Sequence, residues 1–256
     1  MNILLTNDDG VSSPGILSIY NQVSDLGDVY IVAPSTQQSA VGRSMTIYEP
    51  VRMDKIELEN NIPAYSVSGT PCDCALLGIF EVMDEKVDLV ISGINVGHNT
   101  GRAELTTSGT VSAAMESASY GIPSLAVSQQ VINESTKFDG TFRDLDFTLA
   151  SQLTRKLAIK ILDKGLPAGV DLLNLNIPAT IESEDIKITN LASRMYSADI
   201  VKKIDPRGKE YYWIGGTEYK ENREDTDSFC LNCLHQPSLT PVSLDTRCCD
   251  KDLLNW

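Results

Sequence analysis

Residues 2–34 constrain the fold more than any other stretch. Asn2-Ile3-Leu4-Leu5-Thr6 is a short apolar run cut off by Asn7-Asp8-Asp9-Gly10, the pattern of a buried parallel strand followed by a polar loop. Past Pro14 and Gly15, Ile16, Ile19, Tyr20 and Val23 recur at helical spacing as far as Gly27, and Val29 to Ala33 is a second apolar run closed by Pro34. Strand, helix and strand within ~30 residues make a βαβ unit. A helical crossover of this kind joins parallel strands, so the chain is committed to a parallel sheet.

The pattern recurs with variations. Met45 to Leu58 alternates as a hairpin or excursion, Ala64 to Val67 reads as a short strand, and Cys72 to Phe80 as a helix. Val87 to Ile91 is another buried strand, ending at Ser92-Gly93. A long glycine-containing loop then leads to a helix of small residues from Val111 to Tyr120 and a strand from Ser124 to Val127. From Asp144, one helical face is marked by Phe147, Ala150, Leu153, Leu157 and Ile161, with Gly165 as its stop. Leu172 to Asn176 closes the sheet before Pro178. Beyond about Thr180, β-type segments (Ile186 to Leu191, Tyr211 to Ile214) alternate with polar stretches and helical periodicity fades. The expected fold is α/β: a doubly wound, mostly parallel sheet core over residues 1–179, with a β-rich C-terminal extension over residues 180–256.

Charge excludes one class of function. The formal net charge is −14, which repels a polyphosphate backbone, so a nucleic-acid-coating protein is ruled out. A small phosphorylated substrate is still allowed, because a local nest of backbone N–H groups or one metal ion overcomes the global field. The start of the chain has no basic segment before its apolar run, and nothing approaches the ~18 apolar residues of a membrane helix; the expected location is the cytoplasm. The six cysteines are spaced unlike a secreted disulfide framework, and reduced thiols are expected. Cys230-x-x-Cys233-x-His235 with Cys248-Cys249 allows a zinc reading, but buried thiols fit better, since a regular second knuckle is missing. With two histidines there is no histidine-rich metal cluster. Ser-hydrolase elbow, P-loop and dinucleotide fingerprints are absent as well.

Ligands of an open parallel sheet bind beyond the carboxyl ends of its strands. The loops there read Asn7-Asp8-Asp9-Gly10, Gln37-Gln38-Ser39-Ala40-Val41-Gly42, Ser68-Gly69-Thr70-Pro71 and Ser92-Gly93-Ile94-Asn95. Just past a strand end the chain can turn and bring Asp8 and Asp9 together, and a hard divalent cation such as Mg²⁺ or Mn²⁺ removes their mutual repulsion. Ser39 and Asn95 add neutral oxygens from two other loops. The plainer reading makes Asp8 a helix cap and Asp9, Ser39 and Asn95 turn residues. Ser108-Gly109-Thr110 precedes the small-residue helix, whose free N–H groups and dipole hold an anion without lysine; an ordinary N-cap is compatible with that role.

Together, Asn2 to Gly10, Ala33-Pro34 with Gln38-Ser39, Ser68-Gly69-Thr70-Pro71-Cys72-Asp73-Cys74, Ser92-Gly93-Ile94-Asn95-Val96-Gly97-His98-Asn99 and Ser108-Gly109-Thr110-Val111 resemble the SurE family of 5′/3′-nucleotidases. The likeness covers residues 1–130 and continues weakly through Leu172-Asn174-Asn176-Pro178 and Ser238-Leu239-Thr240-Pro241. It implies a Rossmann-like core, a C-terminal extension exchanged between the subunits of a homodimer or homotetramer, and a metal-dependent phosphatase acting on nucleoside monophosphates. By the resemblance, Asp8, Asp9, Ser39 and Asn95 fall on the ligands of one divalent metal ion per subunit, with Mg²⁺ or Mn²⁺ expected. Ser108, Gly109 and Thr110 fall on the phosphate-side loop, and Asn99 on the adjoining Gly-x-Asn segment. Two departures stand out: Thr107 replaces the family's usual aromatic residue, and Asn232 to Gln236 lacks its Gly-aromatic pair.

The mechanism expected on this basis is in-line attack by a metal-activated water, with Asp8 or Asp9 as catalytic residue orienting or deprotonating it. An aspartyl-phosphate route is the competing mechanism. A different class of function is a nucleotide-sensing module that binds metal and phosphate without turnover.

Overall fold

The computed structural model describes residues 1–132, 145–219 and 222–246. Its elements run β1 (Asn2–Thr6), α1 (Pro14–Val23), β2 (Asp28–Pro34), β3 (Met53–Glu57), β4 (Pro63–Val67), α2 (Pro71–Leu77), β5 (Leu89–Val96), α3 (Arg102–Thr107), α4 (Gly109–Ser119), β6 (Ser124–Gln129), α5 (Thr148–Lys164), β7 (Leu172–Ile177), β8 (Lys187–Ile188), β9 (Tyr196–Ile204), β10 (Glu210–Glu218), α6 (Asp227–Cys233) and β11 (Ser238–Val242). One sheet is ordered β3-β4-β2-β1-β5-β6-β7-β11-β8, and β9 and β10 form a separate antiparallel pair. From β4 to β7 all neighbours are parallel. The chain therefore winds outward from β1 in one direction through β2 and β4, and in the other through β5, β6 and β7. Their reversal point lies between β1 and β5.

Both faces of these strands are covered, which is why they read as unbroken apolar runs. Ile3 and Leu5 of β1 join Ile31, Ile91, Leu125 and Leu175 in a core shared with Ile16 and Ile19 of α1 and Leu157 and Ile161 of α5. Leu4 of β1 points the other way, to Val32, Val67, Val90 and Cys74 of α2. On that side α4 packs on β5, β6 and β7 and against α2. Ser112, Ala113, Ala114, Ser117 and Ala118 are all buried, so α4 presents almost no face to solvent and its small side chains let it sit close to the sheet.

Several expectations need correction. β5 runs to Val96, so Ser92-Gly93-Ile94-Asn95 is the end of a strand and not a loop. The ladder to β6 shifts register between Ser92 and Asn95, at Gly93 with φ +139°, where a side chain would collide with Val127 O. The long loop after it contains α3. The sheet does not close at β7: β11 pairs antiparallel with β7, and β8 pairs with β11. The backbone of Ser238 to Val242 pairs with the β7 edge, and Leu239 and Val242 are buried there. The segment Ile186 to Leu191 contributes only the two residues of β8. In the stretch from 45 to 58, only Met53–Glu57 is a strand. The extension also holds α6, and β9 as partner to β10, neither of which periodicity had marked. Gly165 does stop α5, with φ +70°. Among the described residues no helix is long and apolar enough to cross a membrane.

Gly15, in the first turn of α1, lies directly against the end of β5: an added Cβ would stand 2.2 Å from Ile94 O. Gly15→Ala forces α1 and β5 apart. The expected loss of stability is on the order of 2 kcal/mol, read as a lower urea midpoint at unchanged m-value.

Candidate active site

The reversal point opens a crevice at the carboxyl ends of β1 and β5. Asn7 shapes the turn that enters it: its amide donates to Gly10 O (2.9 Å) and Ser13 Oγ (2.6 Å) and its Oδ1 accepts from Gly10 N (3.2 Å). Gly10, at φ +101°, completes the bend. Asp8 and Asp9 thus sit on a turn and escape the opposite-face alternation of a strand.

Asp8 is buried and faces the first turn of α4. Thr110 Oγ1 donates to Asp8 Oδ1 at 2.5 Å. A Cβ on Gly109 would lie 2.7 Å from Asp8 Cβ and 2.9 Å from its Oδ2, so only glycine admits this approach. Ser108 caps the same helix, its Oγ accepting from Val111 N at 3.1 Å. The positive end of α4 is therefore aimed at the carboxylate. Asp9, less buried, accepts at Oδ2 from Val96 N (2.9 Å) and at Oδ1 from Gln37 Nε2 (3.3 Å).

Asn95 is buried beside this pair. Its Nδ2 donates to Gly97 O at 2.5 Å, which fixes the amide plane and leaves the oxygen to be offered to a ligand. Ser39 lies exposed on the loop after β2. That loop is held down by Gln38 N donating to Asp8 O (2.7 Å) and Gly42 N donating to Thr107 O (2.9 Å). Arg43 adds an ion pair to the buried Glu116 at 2.6 Å. Hydrogen bonds thus tie together Asp8, Asp9, Thr110, the loop carrying Ser39 and the end of β5 that carries Asn95. This is an oxygen-only donor set suited to a hard divalent cation, next to the free N–H groups of Gly109 and Thr110.

Asn99 is bonded differently. Its Nδ2 donates to Ser128 Oγ (2.8 Å), its N to Asn176 Oδ1 (2.7 Å), and its O accepts from Asn174 Nδ2 (2.8 Å) and Asn176 Nδ2 (3.3 Å). The side chain is turned into the sheet. Asn7, Gln37, Asn174 and Asn176 were not singled out as site residues from sequence. The two asparagines did carry a signal, as polar interruptions of the apolar run Leu172 to Ile177.

Among the described residues no three His, Cys, Asp or Glu side chains group to hold a metal. Cys230 is buried and donates to Gln236 O at 3.2 Å, whereas Cys233 is exposed; Cys248 and Cys249 lie outside the described residues.

Residues 3–198 match the family model described as Survival protein SurE. The chain belongs to the SurE family. It is similar to a protein named 5′-nucleotidase SurE from Methanobrevibacter smithii, 48% identical over 96% of this chain and 95% of that one. It is also similar to one of the same name from Methanothermobacter thermautotrophicus, 56% identical over 84% and 82%. The SurE protein of Aquifex aeolicus, solved by crystallography, superimposes with a TM-score of 0.78 at 37% identity over 96% and 95% of the two chains. The SurE match takes in every loop of the crevice and stops inside β9.

Burial pushes the Cys72 thiol up to about 12, and that of Cys74 well above its ordinary range. Both stay protonated across the neutral range, and the thiolate is the reactive form. At about pH 8 iodoacetamide is expected to leave Cys72 and Cys74 unmodified in the folded protein while Cys233 reacts. Peptide mass mapping before and after denaturation checks this.

Proposed function

We propose that this chain is a 5′-nucleotidase: a divalent-metal-dependent phosphomonoesterase that hydrolyses nucleoside monophosphates, with the 3′-monophosphates as further substrates, to nucleoside and phosphate. The observation that carries the reading is the packing of Asp8 against Gly109 and Thr110. It sets a carboxylate pair and an anion-binding helix N-terminus side by side. The names of the relatives support the same activity.

Asp8, Asp9, Ser39 and Asn95 would hold one Mg²⁺ or Mn²⁺ per subunit. When bound, the ion supplies Lewis acidity toward the phosphoryl oxygens and lowers the pKa of water. The N–H groups of Gly109 and Thr110 hold those oxygens through the transition state, while Thr110 keeps Asp8 oriented by its hydroxyl. Asp8 or Asp9 orients the attacking water and accepts its proton. A sensing module without turnover shares these ligands; steady phosphate release from a nucleoside monophosphate, abolished by chelation, rejects it. Asp8→Asn and Asp9→Asn are each expected to lower kcat by at least about 100-fold at saturating Mg²⁺ with little change in apo stability. Near-normal turnover in both would refute the assignment.

The same reading makes 1–179 the catalytic core and 180–256 the assembly element, in a cytoplasmic homodimer or homotetramer. The β9–β10 hairpin supports it. An isolated two-stranded ribbon is marginal in water, yet this one exposes Ile200, Ile204, Trp213 and Ile214. Truncation near Pro178 would also strip β11 from β7, so the cleaner test replaces residues 198–216 with a short turn. Light scattering is expected to show a smaller assembly; an unchanged oligomer would refute the exchange.

A further inference from the structure

α3 lies between the phosphate turn and the C-terminal extension, and carboxylates fasten it at two points. At its start, the fully buried Asp227 accepts from Gly101 N (2.9 Å), Ala192 N (2.8 Å) and Ser228 N (2.8 Å). Arg102 N adds a bond to Ala192 O at 2.9 Å. Gly101, at φ +85°, has Arg194 so close that a Cβ would stand 2.9 Å from its carbonyl carbon. Along its side, Glu104 accepts from Met195 N (2.7 Å) and Tyr196 N (3.3 Å). Tyr196 is the first residue of β9. At its end, Ser108 is both the C-cap of α3 and the N-cap of α4, and Ser108 N donates to Glu104 O at 2.9 Å.

We propose that Glu104 and Asp227 are positioning residues. By clasping α3 to the base of the hairpin, they set where Ser108, Gly109 and Thr110 stand relative to Asp8. The proposal rests on the phosphate-binding reading of that turn. Neither side chain contacts substrate; each acts through the backbone that it holds. Ala192, Met195 and Tyr196 belong to the extension, so a displacement of the hairpin base is transmitted to the turn through a helix of six residues. Burial raises the affinity of Asp227 for its proton, while its three N–H donors favour the anion; an amide in its place would set a donor against one of them.

The test compares Asp227→Asn and Glu104→Gln with the wild type. The readouts are KM and kcat on a nucleoside monophosphate, inhibition by inorganic phosphate, Mn²⁺ affinity by calorimetry, and the melting temperature. The expected result is a rise of about tenfold in KM and in the phosphate inhibition constant, with a smaller fall in Mn²⁺ affinity, because Asp9 and Asn95 are held by Val96, Gln37 and Gly97 and only Asp8 leans on Thr110. Glu104→Gln, at a half-exposed site, keeps the comparison decisive if Asp227→Asn does not fold. A folded Glu104→Gln that only melts earlier, with unchanged KM and phosphate inhibition, would overturn the proposal. An equal fall in Mn²⁺ affinity would also overturn it. A wild-type control that releases no phosphate overturns the nucleotidase reading together with the clasp, whereas an active wild type with unaffected variants overturns the clasp alone.

Discussion

The contact between Asp8 and the first turn of α4 organises the rest of the molecule. A carboxylate buried at a strand end is costly unless it is hydrogen-bonded or paired. Here the hydroxyl of Thr110, the proximity of Gly109 and the helix dipole supply that compensation together. Each places a demand on the fold. Gly109 must lack a side chain, α4 must be slim enough to lie close to the sheet, and the β1 turn must rise toward it. The run of Ala and Ser through α4 and the Asn7-anchored turn meet those demands.

The carboxyl edge of the sheet is otherwise held by polar groups drawn from distant parts of the chain. Asn174 and Asn176 on β7 and Ser128 on β6 grip Asn99 through backbone and side chain, and each bond is fully desolvated. Removing one such partner leaves a buried group unpaired, at a cost of about 1–3 kcal/mol. The segment after β5 is therefore rigid where it passes the crevice, which keeps Asn95 and the Asp9-binding N–H of Val96 in register. The loop bearing Ser39 is pinned through Asp8, Thr107 and Glu116, so it shares its supports with the first carboxylate and with α3.

The hairpin stands in contrast. Its strands pair only with each other, and its apolar side chains face outward. Its base is tied to α3, next to the phosphate turn. Assembly surface and chemistry thus meet at a short helix with little internal stability of its own.

The amino-acid sequence by itself determined the parallel sheet, because strands buried on both faces read as apolar runs without a polar-facing alternation, as Ile3 to Leu5, Ile31 to Ala33 and Leu89 to Ile91 show. It also marked the Asn7-to-Gly10 turn and the Ser108-Gly109-Thr110 cap, whose chemistry is local and readable from a few adjacent residues. Only the tertiary structure decided what Thr110, Asn99, Glu104 and Asp227 do, since their partners lie 102, 77, 91 and 126 residues away. The same holds for α3 and α6. At six and seven residues they are too short to form alone or to show a period, and they exist because long-range hydrogen bonds and packing complete them.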